Sequence, residues 1–219
     1  MKLKLFIGVV LVLGLAASGA WADLLTTPGL TITVGDKTFS NFTCSIATFD
    51  EVAYPSDCST ISVAASTDTS GNLGILFTGS FGALYTATYG PGSVDIDIDY
   101  TVTAPSPLIT DLHMVFNGAI TGNGFAHVTE QVNAGKAVVG QIAVGNPLPG
   151  SETGVVLVGG PYTTLNVSKD IELLAPTPGD SATISSIGQY FSQTVPEPAS
   201  ILLFGTLLLG CGSLLRKRA

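Results

Sequence analysis

From residue 94 to 103 the chain alternates strictly. Val94, Ile96, Ile98, Tyr100 and Val102 interleave with Asp95, Asp97, Asp99, Thr101 and Thr103. A period of two residues belongs to a strand with one face buried and the other wet. The next segment repeats the pattern, with Leu108, Thr110, Leu112, Met114 and Phe116 on one side and Ile109, Asp111, His113, Val115 and Asn117 on the other. Shorter stretches rich in Thr, Val and Ile predict further strands at 30–34, 39–44, 60–66, 73–81, 125–132, 137–144, 153–158 and 163–174. Clusters of Gly, Pro, Asn and Asp separate them, such as Ala104-Pro105-Ser106-Pro107 and Gly145-Asn146-Pro147-Leu148-Pro149-Gly150. Residues 181–191 fit either a short helix or a last strand, and the strand is the preferred reading. The expected fold is all-β, a single antiparallel β-sandwich, with a jelly roll as the favoured variant.

Both ends depart from this pattern. Met1-Lys2-Leu3-Lys4, an apolar stretch from Leu5 to Ala16, and the small-residue site Ala20-Trp21-Ala22 before Asp23 form a secretory signal peptide. Twelve apolar residues fall short of the roughly 20 that a membrane span requires. At the other end Pro196-Glu197-Pro198 leads into an apolar run from Ile201 to Leu215, closed by Arg216-Lys217-Arg218-Ala219. A basic cluster at that position fixes the end in the cytoplasm and the preceding domain across the membrane. The chain therefore divides into a signal peptide (1–22), a β-sandwich domain (23–194) and a sorting and transmembrane segment (195–219).

The order of the Pro-Glu-Pro triad, short hydrophobic helix and terminal basic cluster resembles the PEP-CTERM sorting domain. The likeness covers residues 195–219, with weaker echoes in Thr33–Phe42 and Gln189–Gln193. It implies signal peptidase and an exosortase as partners, transient anchoring in the inner membrane, recognition of Pro196, Glu197 and Pro198, and removal of the tail. The destination it implies is the cell envelope, surface or an exopolysaccharide matrix of the kind found in biofilms. It implies almost nothing about the chemistry of the domain delivered.

Between the two signals the only cations are Lys37, Lys136 and Lys169, against 15 acidic side chains and no arginine. Nucleic-acid binding is excluded, because phosphate contacts need clustered Lys and Arg. Electrostatic docking on an anionic bilayer is disfavoured for the same reason. Cys44 and Cys58 lie in an exported segment around the turn-like Tyr54-Pro55-Ser56-Asp57, which predicts a disulfide, while Cys211 falls in the tail. No CxxC pair, nucleophile elbow, Walker loop or dinucleotide fingerprint is present, and no cofactor is expected.

Three acidic groups in a row, Asp95, Asp97 and Asp99, read either as a calcium site or as a solvated strand face, with the solvated face preferred. His113 and His127 are placed to face each other across a hairpin at 118–124, near Asp111 or Glu130, but lack zinc-ligand spacing. Six tyrosines, Tyr54, Tyr85, Tyr89, Tyr100, Tyr162 and Tyr190, supply modest stacking surface for sugars. The expected function is that of a non-enzymatic envelope or matrix protein whose sandwich is structural or binds glycan. The alternative is a secreted carboxylate-dependent hydrolase of extracellular polysaccharide, using a pair such as Asp97 and Glu130.

Overall fold

A computed structural model of the chain describes residues 22–48, 53–105, 109–146 and 153–193. Thirteen strands account for most of them: β1 (Asp23–Leu24), β2 (Ile32–Val34), β3 (Lys37–Thr48), β4 (Ala53–Tyr54), β5 (Ser62–Thr67), β6 (Leu73–Leu84), β7 (Gly92–Thr103), β8 (Ile109–Thr121), β9 (Phe125–Ala134), β10 (Ala137–Asn146), β11 (Thr153–Tyr162), β12 (Thr164–Ala175) and β13 (Ser181–Gln193). Every expected strand is present, including a full-length strand at 181–193. One short 3-10 turn, Cys58–Thr60, is the sole helical element among the described residues. No helix among them is long and apolar enough to cross a membrane. The signal sequence, the Pro196-Glu197-Pro198 triad and the Arg216-Lys217-Arg218 cluster lie outside the described residues, apart from Ala22.

The strands form two antiparallel sheets. One runs β1-β5-β6-β13-β8-β11, with β4 added alongside β6; the other runs β10-β9-β12-β7-β3-β2. Their inner faces carry the alternate apolar residues the sequence marks out. Val94, Ile96, Ile98, Tyr100 and Val102 of β7 face Phe77, Phe191, Ile187 and Phe116 of the other sheet within one continuous core. Tyr100 is ringed by Phe39, Phe42 and Phe77 at centroid distances of 6.2, 5.6 and 5.9 Å. Such tilted and offset contacts suit the ring quadrupole.

Two irregularities break the simple alternation. In β3 the register against β7 shifts between Ser40 and Thr43, where Asn41 adopts φ of 57°, a left-handed conformation that Asn tolerates better than most residues. The extra residue turns Phe42, Cys44 and Ile46 toward the core behind Phe39. In β8 a shift opposite Ser192 and Gln193 returns Ile109 to the interior, fully buried. The sequence pattern places Ile109 on the wet side, because strict alternation does not anticipate a bulge; Leu112, Met114 and Phe116 do face inward as expected.

Cys44 and Cys58 are joined by a disulfide, with Cα atoms 6.1 Å apart. The bridge ties β3 of one sheet to the 3-10 turn that leads into β5 of the other. The turn is capped by Asp57, whose carboxylate accepts the Ser59 backbone N–H at 2.7 Å.

The turn between β8 and β9 carries the chain from one sheet to the other. Gly122 has φ of +63°, and a β-carbon there would lie 2.1 Å from Asp180 Oδ1. The same carboxylate accepts the Asn123 N–H at 2.8 Å, and its second oxygen accepts the Thr177 N–H at 2.8 Å and the Thr177 hydroxyl at 2.6 Å. Asp180 therefore locks two crossover turns together. This crossing also corrects the expected hairpin at 118–124: β8 and β9 belong to different sheets and do not pair.

Candidate functional site

The outer face of the β10-β9-β12-β7-β3 sheet is built from the polar half of the alternation. Register places these residues in rows that cross the strands. One row runs Thr43, Asp99, Ser168, Gln131 and Gln141; the next runs Ser45, Asp97, Asp170 and Thr129; a third contains Thr101, Asn166 and Asn133. Rows are roughly 7 Å apart and five strands span about 19 Å at the ordinary strand spacing.

Hydrogen bonds link the rows internally. Asp99 accepts from the Ser168 hydroxyl at 2.6 Å and the Thr43 hydroxyl at 3.3 Å. Asp97 accepts from Ser45 at 3.4 Å, and Asp170 from Thr129 at 3.4 Å. The Asn166 amide oxygen accepts from Thr101, whose hydroxyl in turn accepts from Asn41. Gln141 donates to Gln131 at 3.3 Å, and Gln131 to Asn133 at 3.2 Å. Over β9, β10 and β12 this face sinks into a shallow groove of about 560 Å³, lined by Thr129, Gln131, Gln141, Ala143, Ser168 and Asp170 among others.

The acidic residues on this face do not group as the sequence row implies. Asp95, Asp97 and Asp170 present carboxylate oxygens within 4.8 Å of one another, while Asp99 is engaged by Ser168 and Thr43. Asp170 comes from β12, directly opposite Asp97, and a pattern read along one strand cannot reveal it. Burial, followed by the charge of Asp170 and a hydrogen bond to it, raises the Asp95 carboxyl above its ordinary range. One Asp95 oxygen is enclosed without a hydrogen-bond partner.

The remaining sequence candidates separate. His113 lies on the outer side of β8, bonded to Asp111 at 3.1 Å and to the Ser192 hydroxyl at 3.0 Å. His127 lies on β9, against the Phe125 ring at 5.4 Å. They sit on different sheets and share no ligand geometry. Asp97 and Glu130, the pair considered for hydrolysis, project from opposite faces of one sheet, because Asp97 is exposed and Glu130 is buried. That pair is therefore excluded. Among the tyrosines, Tyr100 and Tyr190 are buried, whereas Tyr54 and Tyr89 are exposed. Phe125, which the sequence reading does not single out, stands with His127 at one end of the polar face.

Charge reinforces the character of this surface. Lys37 and Lys169 are buried, so Lys136 is the one lysine not buried among the described residues. Burial lowers the pKa of Lys37, opposed by Asp36 at 3.4 Å.

No protein-family model matches the chain, and no curated protein does. Three solved structures illustrate the distant similarities. TmCBM61 in complex with β-1,4-galactotriose is 10% identical with a TM-score of 0.32, over 68% of this chain and 88% of that one. The enzymatically active domain of tailspike protein 4 of bacteriophage CBA120 is 9% identical with a TM-score of 0.32, over 69% of this chain and 19% of that one. Endoglucanase 3 of Trichoderma harzianum, from family GH12, is 9% identical with a TM-score of 0.27, over 73% and 100%. At these scores none of them carries an argument about this chain.

Proposed function

We propose that this is an exported envelope or extracellular-matrix protein, processed by an exosortase, whose jelly-roll-like sandwich is non-enzymatic and contacts polysaccharide through the outer face of the six-stranded sheet. One observation carries the reading: five adjacent strands present an ordered array of amides, hydroxyls and carboxylates beside a groove of about 560 Å³. Polysaccharide hydroxyls both donate and accept, and so match a surface of Gln, Asn, Thr, Ser and Asp that does the same. Because the array is already ordered by its own hydrogen bonds, little side-chain entropy is lost on binding. Phe125 and His127 add a small stacking surface at one end.

The hydrolase alternative keeps one supporting observation, the raised Asp95 carboxyl beside Asp170. The Asp95 and Asp170 carboxylate oxygens lie within 4.8 Å of each other, closer than the roughly 5–9.5 Å that separates the two carboxyl groups of a glycosidase. The non-enzymatic reading is therefore preferred.

The test is retention of the exported protein on insoluble exopolysaccharide from its host, compared with a Gln131→Ala, Gln141→Ala double variant. Loss of two amides from the groove is expected to weaken binding at least tenfold, or about 1.4 kcal/mol. Undiminished binding by the double variant would remove this face from the proposal. Release of new reducing ends by the parent protein would favour the hydrolase instead.

A further inference from the structure

The core contains a second polar constellation, unrelated to the outer face. Lys169 lies mid-way along β12 and points inward, 1% exposed. Its ammonium contacts Glu130 on the neighbouring β9, and reaches across the sandwich to Gln189 Oε1 of β13 at 3.0 Å and Met114 Sδ of β8 at 3.2 Å. Glu130 is 2% and Gln189 0% exposed. The Gln189 amide nitrogen donates to the His113 carbonyl at 3.2 Å, which turns its oxygen toward Lys169. The second Glu130 oxygen and the Tyr100 hydroxyl are enclosed without hydrogen-bond partners among the described residues.

As a permanent ion pair this arrangement is poor. A buried ammonium loses its hydration and here gains one carboxylate, one amide oxygen and a weak thioether acceptor. Burial raises the Glu130 carboxyl above its ordinary range against the opposing pull of Lys169. Burial, and then the Glu130 charge, also pushes the Tyr100 phenol well up. The Glu130 carboxylate, in contact with the ammonium, is placed to take a proton from it, and the amine so formed is a nucleophile.

We propose that Lys169 and Gln189 condense within the folded core to an intramolecular amide, with Glu130 as the proton-transferring catalytic residue. The amide carbon of Gln189 is one C=O bond, about 1.23 Å, from an oxygen already in contact with Lys169, so it lies within roughly 4.2 Å of Nζ. A small side-chain adjustment reaches the attack distance of about 3–3.5 Å. Glu130 first takes a proton from the Lys169 ammonium. The freed Nζ lone pair attacks Gln189 Cδ, and the carbonyl π electrons move to Oε1 as Glu130 returns the proton there. Collapse of the tetrahedral carbon re-forms the C=O bond: Glu130 takes back the Oε1 proton, one of the two Nζ protons passes to Nε2, and Nε2 leaves as ammonia, which takes the proton from Glu130 and departs as ammonium. One C–N bond forms and one breaks; nothing is oxidised or reduced, and no co-reactant is consumed. The product joins a central strand of each sheet.

The test is the intact mass of the purified exported protein, followed by tryptic peptide mapping. The linked protein should be lighter than its sequence by about 17 Da, one ammonia. A branched peptide should join Lys169 to Gln189, with no tryptic cleavage after Lys169. Full sequence mass, with Lys169 cleavable and acylated by an amine reagent after unfolding, would overturn the proposal. So would a loss of one ammonia without that branched peptide. Glu130→Gln should fold but retain full mass, and Lys169→Met should do the same as the control that cannot link. A Glu130→Gln protein that still loses ammonia would refute the assignment of Glu130.

Discussion

At the scale of single residues, environment rather than residue type sets what each carboxylate does. Asp99 is satisfied by two hydroxyls, Asp180 holds two turns together, and Asp95 is pressed against Asp170. The raised Asp95 carboxyl has a definite consequence. Between its unfolded and folded pKa the native protein binds the extra proton, so the Asp95 contribution to stability is present at low pH and is lost as pH rises through the folded value. Asp95→Asn removes the charge but keeps an acceptor. It should therefore stabilise the protein at neutral pH by about 0.5 kcal/mol, the scale of a like-charge cross-strand contact near the surface. At pH 3 the gain should vanish, a difference that paired thermal melts at the two pH values would reveal. Asp180 has the opposite sign: hydrogen bonds from Thr177 and Asn123 hold it below the ordinary carboxylate range. Its contribution is present at neutral pH and fades as acid protonates it. The Asp95, Asp97 and Asp170 oxygens also permit a direct check on calcium. Millimolar calcium should leave the melting temperature unchanged, since an ion bound only by the native state would have to raise it. A rise of several degrees, absent in Asp97→Asn, would contradict the reading of this face as free of an essential cation.

At the scale of elements, strands and their inward faces were legible because a half-buried strand writes its exposure into every second residue. β7 is the clearest case, with all five expected core residues buried. Legibility stopped where the period stopped. The bulge at Asn41 inverts the faces after it and the shift near Ile109 inverts the face before it, and neither contains a Gly or Pro to announce it. Partnership between strands was equally hidden: the meeting of Asp170 with Asp97, or of Gln131 with Ser168, depends on which strands pair. The outer face as a chemical surface was therefore visible only in part, through Asp95, Asp97 and Asp99. The buried Lys169 was missed although the alternation of β12 places it on the inward face with Leu165, Val167, Ile171 and Leu173, because a lysine is ordinarily read as solvated. The disulfide was readable from cysteine arithmetic, and it connects an edge region of one sheet to the entry of β5 in the other. Cys44→Ala should cost about 2–5 kcal/mol in denaturant unfolding of the oxidised protein. An equal midpoint for parent and variant would show that the bridge contributes nothing to folding.

At the scale of the whole molecule, two features act together. The domain presents a strongly acidic, hydrogen-bonding exterior with two of its three lysines enclosed. It also carries end segments that resemble export and sorting signals. A surface of that kind suits a hydrated matrix of hydroxyl-rich polymer and discourages association with anionic membranes or nucleic acid. The proposed contact with polysaccharide depends on delivery to that setting, outside the cytoplasm. The decisive measurement is fractionation of an exosortase-containing host that expresses either the parent chain or one with Pro196-Glu197-Pro198 replaced by Ala-Ala-Ala. Hydrophobic length and the basic stop are unchanged by that replacement, so anchoring should survive while processing fails. The parent should be recovered from the surface or matrix, beginning at Asp23 and lacking its tail, while the variant should accumulate at full tail length in the inner membrane. Identical processing and location of the two proteins would contradict the account.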